Sequence, residues 1–234
     1  MAGSMAIMIT MAEKVEGVMD ESVRMMLTGQ VFAIMSGTAT EDQVESICRS
    51  ADKYLYDQKA GGYRLNTNFH EEKFDHWKNW FGICRLLAEK REMGAVFSHM
   101  AVMYSNALYQ REFAKEGNKV LQALLDAAME FDNSKMYPGL PEYFDNQGRG
   151  LYAYLTGAAS WYMLTMITEV FGVKGDCGDL KIAPALMPEQ YNQDGKAVLK
   201  MTFAGRNFEI IFYNKEKKEF NQLKIRKQFA MEKH

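Results

Sequence analysis

The chain has 234 residues, 47% of them hydrophobic and 12% aromatic, which excludes global disorder and allows one large domain, alone or with a small companion. Its 28 Lys and Arg against 30 Asp and Glu leave a net charge of −2, so no steering field draws nucleic acid or a membrane surface as a partner. The cysteines Cys48, Cys84 and Cys177 are odd in number and widely spaced, with no CxxC or zinc-type cluster, so the expectations are a reducing, cytoplasmic setting, no disulfide scaffold and no metal.

Residues 1–29 read as an irregular or divergent N-terminal segment. The apolar run in MAGSMAIMITMAEK has no basic region before it and no clear cleavage site, and it is too short to span a bilayer. All four prolines, Pro138, Pro141, Pro184 and Pro188, lie beyond residue 137, so the earlier chain is free to be helical. Thr40 and Gln43 form a capping-box pattern, and Val44, Ile47, Cys48, Ala51 and Leu55 follow at helical spacing. AGGYRLNTNF breaks the pattern, with Gly61 and Gly62 free to take unusual φ. Further helices are predicted over 97–111, over 116–131 with Val120, Leu121, Leu124, Leu125, Ala128 and Met129 on one side, and from Thr156 to Gly172. Past Gly172 the period changes to two. Asp179-Leu-Lys-Ile-Ala, Val198–Phe203 and Phe208–Tyr213 alternate as strands, with the turn AGRN between the last two, and Leu223-Lys-Ile-Arg adds another. That region is too small to stand securely alone and is expected to pack on the helices.

Several residues can carry chemistry. His99 opens an apolar helix and reads either as a hydrogen-bonded core histidine or as a ligand to phosphate or sugar. Thr156 reads either as a plain N-cap or, with Gly157, as an anion site, because the first amides of a helix lack partners and glycine admits a ligand to the backbone. Glu142 and Asp145 flank Tyr143 and Phe144, an arrangement that suits a pyranose or a loop that pins itself. Tyr63, Arg64 and Asn66 read equally as sugar-edge contacts or loop braces. Trp77, Trp80, Phe81 and Trp161 read as core before they read as a sugar platform. No spacing pairs two carboxylates as a glycosidase requires.

In combination, QVFAIMSGTAT, GGYRLNTNF, GAVFSHMAVMYSNALYQ, YPGLPEYFDNQGRGLYAYLTGAASWYMLTMITEVFG and GDLKIAPALMPEQ resemble the C-terminal third of glycoside hydrolase family 94 phosphorylases. These are the cellobiose, cellodextrin, chitobiose and β-1,2-oligoglucan phosphorylases. The segments run in family order over most of residues 30–190. The resemblance implies a mainly α fold. It would be a partial (α/α)6 barrel (an α/α toroid) of antiparallel helical hairpins over 30–175, followed by a small antiparallel β region over 176–234. It implies inverting transfer of a glycosyl unit from a β-linked di- or oligosaccharide to inorganic phosphate, with no cofactor. His99, Thr156 and Gly157 would contact phosphate. Glu142 and Tyr143 would lie near the sugar subsites, with Tyr63 and Arg64 as sugar-binding candidates.

The chain also departs from the family. Nothing before QVFAIMSG resembles the segment that bears the general-acid aspartate, and a phosphate-contacting arginine is absent too. GICRLLAEKREMG places Met93 where the family continues to Glu-Asn-Gly. The expectation is therefore a phosphorylase fragment with no catalytic residue of its own, inactive alone. Self-association, or a companion chain carrying the missing barrel half, would cover its apolar faces. A non-catalytic carbohydrate-binding or structural helical module, and a glycoside hydrolase, are the alternatives.

Overall fold

A computed structural model describes residues 16–18, 23–67, 94–137, 139–153 and 157–222. The fold is mixed, mostly helical, with a modest antiparallel β component, and the described helices do not close a barrel.

A short ribbon, β1 (Gly17–Val18) with β2 (Val23–Arg24), precedes helix α1 (Leu27–Met35). Helix α2 (Glu41–Tyr54) starts on the capping box the sequence predicts. The Gln43 amide donates to Thr40 Oγ1 over 3.4 Å, and the Thr40 amide donates to Gln43 Oε1 over 2.9 Å. Val44, Ile47, Cys48, Ala51 and Leu55 are all buried, as their spacing predicts. The GG break becomes the hairpin β3 (Tyr56–Asp57) to β4 (Gly62–Tyr63). Gly61 and Gly62 sit at φ +87° and +145°, where a side chain would be strained.

Helix α3 (Ser98–Gln110) is the axis of the molecule. It packs against α1, against α4 (Ala114–Met129) and against α6 (Gly157–Thr165). Three helical neighbours explain why ten of its residues are buried although its apolar residues favour no single face. The short link from Arg111 to Phe113 turns α4 back along α3. There Ser105 Oγ donates to the Gly117 carbonyl over 2.8 Å, and the Tyr109 ring fills the space a Cβ on Gly117 would need. The Arg111 guanidinium donates to the carbonyls of Ile34 (3.3 Å) and Ala39 (3.0 Å), which ties the end of α1 to the end of α3. Leu125 and Met129, expected on the inner side of α4, are instead 41% and 60% exposed. The single turn α5 (Phe131–Ser134) follows.

Three two-residue strands that the sequence did not announce form a small sheet beside the start of α3. They are β5 (Val96–Phe97), β6 (Tyr143–Phe144) and β7 (Gly150–Leu151), in that order and antiparallel. Helix α6 runs into a π-helical stretch, Met166–Val170, and the chain turns at Gly172, φ +65°.

Beyond it, β8 (Val173–Asp176) pairs with β9 (Asp179–Ile182) across Cys177 and Gly178, both at positive φ. The strand β8 has no alternation and was not expected. The ribbon β10 (Lys196–Phe203) to β11 (Arg206–Tyr213) forms where alternation predicts it, but with a tighter turn than AGRN: Ala204-Gly205 alone make it, Phe203 faces Arg206, and Arg206 and Asn207 join the strand. Between the two hairpins, Ala185, Leu186, Met187 and Tyr191 are buried, and Asn118 of α4 bonds Glu189 and Gln190 at 3.1 Å each. The β region therefore does pack on the helices. The strand expected at Leu223 and the aromatics Trp77, Trp80 and Phe81 lie outside the described residues. Among the described residues no helix is long and apolar enough to cross a membrane, and no three His, Cys, Asp or Glu side chains group as a metal site.

Candidate functional site

His99 is the second residue of α3. The helix begins where β5 ends, with Phe97 at the cap position offering no side-chain acceptor. The Ser98 amide is instead taken by the Glu142 carbonyl, 2.9 Å away, and the Glu142 amide by the Tyr152 carbonyl at 3.3 Å. The loop that carries Glu142 and Tyr143 is thereby fastened to the start of α3.

Gly157, the first residue of α6, lies directly against the imidazole. A Cβ built on it would stand 2.5 Å from His99 Nδ1 and 3.0 Å from Nε2. Residues far apart in sequence are thus in contact, and glycine is what permits it. The Trp161 ring, one turn into α6, has its centroid 5.7 Å from that of His99, and the Phe97 ring lies edge-on to the imidazole at 6.0 Å. Phe97 in turn stacks on Tyr143 at 4.7 Å and 17°. His99 Nε2 is enclosed and has no hydrogen-bond partner among the described residues. Such an atom costs about 1–3 kcal/mol relative to one that is paired, so it marks a place where a polar partner is wanted. Burial lowers the His99 pKa, and the Glu142 carboxylate opposes that shift.

The structure thus brings His99, Gly157, Glu142 and Tyr143 together around one helix start. Thr156 lies outside the described residues. Tyr63 and Arg64 take other partners. Tyr63 is buried, and its hydroxyl donates to Asp52, which also receives Lys119 Nζ at 2.8 Å. Burial first, then the Asp52 carboxylate, push the phenol well above its usual range. Arg64 pairs with Asp57. Burial works against ionising Asp57, but the Ala60 amide and the Arg64 guanidinium outweigh it and hold the carboxyl low. The Arg64 head covers Gly94, φ +82°, where a Cβ would stand 2.5 Å from Nη1. Both contacts are those of loop braces. Asp145 likewise pins its own loop, accepting the amides of Gln147 (2.8 Å) and Arg149 (3.0 Å). Asn66 donates to the neighbouring Thr67 carbonyl at 2.7 Å.

Sequence reasoning missed Ser98, which is fully buried with an unpartnered hydroxyl, and did not place Phe97 beside His99. The signal for Ser98 was its position immediately before His99.

No family model matches the chain. It is similar to the cellobionic acid phosphorylase of Neurospora crassa, at 23% identity over 206 residues. The match covers 82% of this chain and 24% of that protein, so the chain spans about a quarter of its relative's length. This is a distant relation to that phosphorylase.

Proposed function

We propose that the chain carries the phosphate-binding part of an inverting carbohydrate phosphorylase, built as part of an (α/α)6 barrel over residues 30–175 with the β region of 176–234 beside it. The observation that carries the reading is the enclosed, unpartnered Nε2 of His99 held against the first residue of α6. A helix start presents amides to an anion, glycine lets the imidazole come against that start, and an imidazole N–H adds a directed donor. The atom is closed to solvent, so entry of phosphate requires its surroundings to part. Thr156, immediately before Gly157, is proposed as a further donor, with Glu142 and Tyr143 facing the sugar. Tyr63 and Arg64 would act on the sugar only by holding the loops in place.

In the proposed reaction a phosphate oxygen attacks the anomeric carbon of a β-linked di- or oligosaccharide. The glycosidic C–O bond breaks, the configuration inverts, and the leaving oxygen takes a proton. Phosphate replaces an activated water, so one general acid suffices. That acid is proposed to come from outside these 234 residues. Without it the rate falls by a factor on the order of 10² to 10⁴, so the chain alone binds but does not turn over.

The faces of α1 and α6 support a partner. Phe32 is 50% exposed beside a groove of about 410 Å³ that Ala33 and Met35 also line, and Met163 is 58% exposed. A companion chain or a second copy would cover them. Incubation of the purified chain with cellobiose, sophorose or chitobiose plus phosphate should release no sugar 1-phosphate, while calorimetry with phosphate should show saturable binding. Robust release would refute the inactive-fragment reading, and absence of any phosphate binding would refute the site. Binding of an oligoglucan but not of phosphate would favour a carbohydrate-binding module instead.

A further inference from the structure

Ser98 and His99 are consecutive, and each encloses a polar atom, Ser98 Oγ and His99 Nε2, with no hydrogen-bond partner among the described residues. Ser98 is completely buried. Glu16, Gln30 and Tyr109 also enclose unpartnered polar atoms, but Ser98 and His99 do so in consecutive residues at a helix start. The helix they open is thirteen residues long, and Phe97 at its cap position supplies no side-chain acceptor. Of the first-turn amides, that of Ser98 is bonded to the Glu142 carbonyl. The start of α6 meets the same imidazole through Gly157. Two positive helix ends therefore converge on one ring, in a place where the charged side chain acting on that ring is the acidic Glu142 rather than a lysine or arginine.

We infer that Ser98 Oγ and the first turn of α3 form the second wall of the anion seat, so that a tetrahedral oxyanion is held between two helix starts by a hydroxyl, an imidazole and backbone amides. This rests on the anion-site reading of His99 and Gly157 and extends it to a residue and a helix end outside that reading. Among the described residues the positive field at the seat comes from backbone amides and the paired helix dipoles. Ser98 adds direction, since its hydroxyl is a single donor fixed by complete burial.

The test is titration of the full chain with inorganic phosphate, by calorimetry and by thermal melting, for wild type, Ser98→Ala, Ser98→Cys and His99→Gln. Ser98→Ala removes an unpartnered hydroxyl, so in the absence of phosphate it should melt at or slightly above the wild-type temperature. Its phosphate affinity should fall about tenfold, the loss expected of one hydrogen bond to a charged group. Ser98→Cys, close in volume but a weaker donor, should fall between the two and serves in place of the alanine variant if that one folds poorly. Wild-type affinity in Ser98→Ala alongside a loss in His99→Gln would overturn the role of Ser98 and leave the anion site standing. No phosphate binding by the wild-type chain would overturn the site itself.

Discussion

Helix α3 and the ribbon β10–β11 are both rich in apolar side chains, yet they live in different surroundings. Ten residues of α3 are buried, including Tyr104, Ala107 and Leu108, because three helices surround it. In the ribbon Ala197 alone is buried, and Val198 and Ile211, paired across the strands, are 45% and 43% exposed. Leu199, Met201, Phe208 and Ile210 share the opposite face and are half-buried. Apolar content therefore does not decide burial here; the number of neighbouring elements does. Stability is concentrated where α3 crosses its neighbours, and the candidate site sits at the head of that same helix.

The largest contrast should come from matched truncations. Leu108→Ala should cost about 2–5 kcal/mol, since a fully buried leucine leaves a cavity among packed helices. Ile211→Ala, on the open face of the ribbon, should cost less than about 1 kcal/mol. Urea denaturation measures both, and equal losses would mean that the ribbon is as tightly held as the core. The next effect tests the junction of the two helix starts. Replacing glycine by alanine inside a helix ordinarily stabilises by about 0.5–1 kcal/mol. Gly157→Ala should instead destabilise by about 1–3 kcal/mol, because the new methyl group meets the His99 ring. A stabilised variant would show that the contact gives way easily.

Gly157→Val would both obstruct the approach of a ligand to the backbone and displace the His99 ring, so it cannot separate those two effects.

Thr40→Ala should lower stability by about 1 kcal/mol by removing half of the capping box, read from the same urea curves. A still smaller effect is linked to pH. The His99 pKa is lowered in the fold, chiefly by burial, so the native state binds the proton less readily than the unfolded chain. The resulting contribution is fully present above the unfolded imidazole value of about 6.5 and is lost as pH falls through the lower folded value. The stability of wild type relative to His99→Gln should therefore fall on going from pH 7.5 to about pH 5. A difference that stays constant with pH would contradict the buried placement of the ring.

Much of the helical frame could be read before any coordinates. Thr40 and Gln43 announced a helix by local chemistry, and the spacing of Val44, Ile47, Cys48 and Ala51 named its inner face. The ribbon was equally plain, because its alternation and the Ala204-Gly205 turn are local signals. What escaped depends on neighbours distant in sequence. Strands β5, β6 and β7 are too short to show a period, and β8 reads Val-Lys-Gly-Asp, which shows none. Leu125 and Met129 fit the apolar side of α4, yet no element covers them among the described residues. In the site, His99 and Gly157 were singled out, whereas their contact arises only when α6 folds against α3. The partners of Tyr63 and Arg64, namely Asp52 and Asp57, were within reach of sequence reasoning only as generic acids, so brace and sugar contact read equally from sequence.

The central claim is that the head of α3 and the start of α6 together hold phosphate through His99. The measurement closest to it is imidazole nitrogen NMR during a phosphate titration, with the His99 resonances among the 4 histidines assigned by comparison with His99→Gln. A saturable shift of the His99 Nε2 signal, with the other histidines unmoved, is the predicted result. A His99 signal that stays fixed while phosphate is raised to high concentration would contradict the account and leave His99 as a residue of the core.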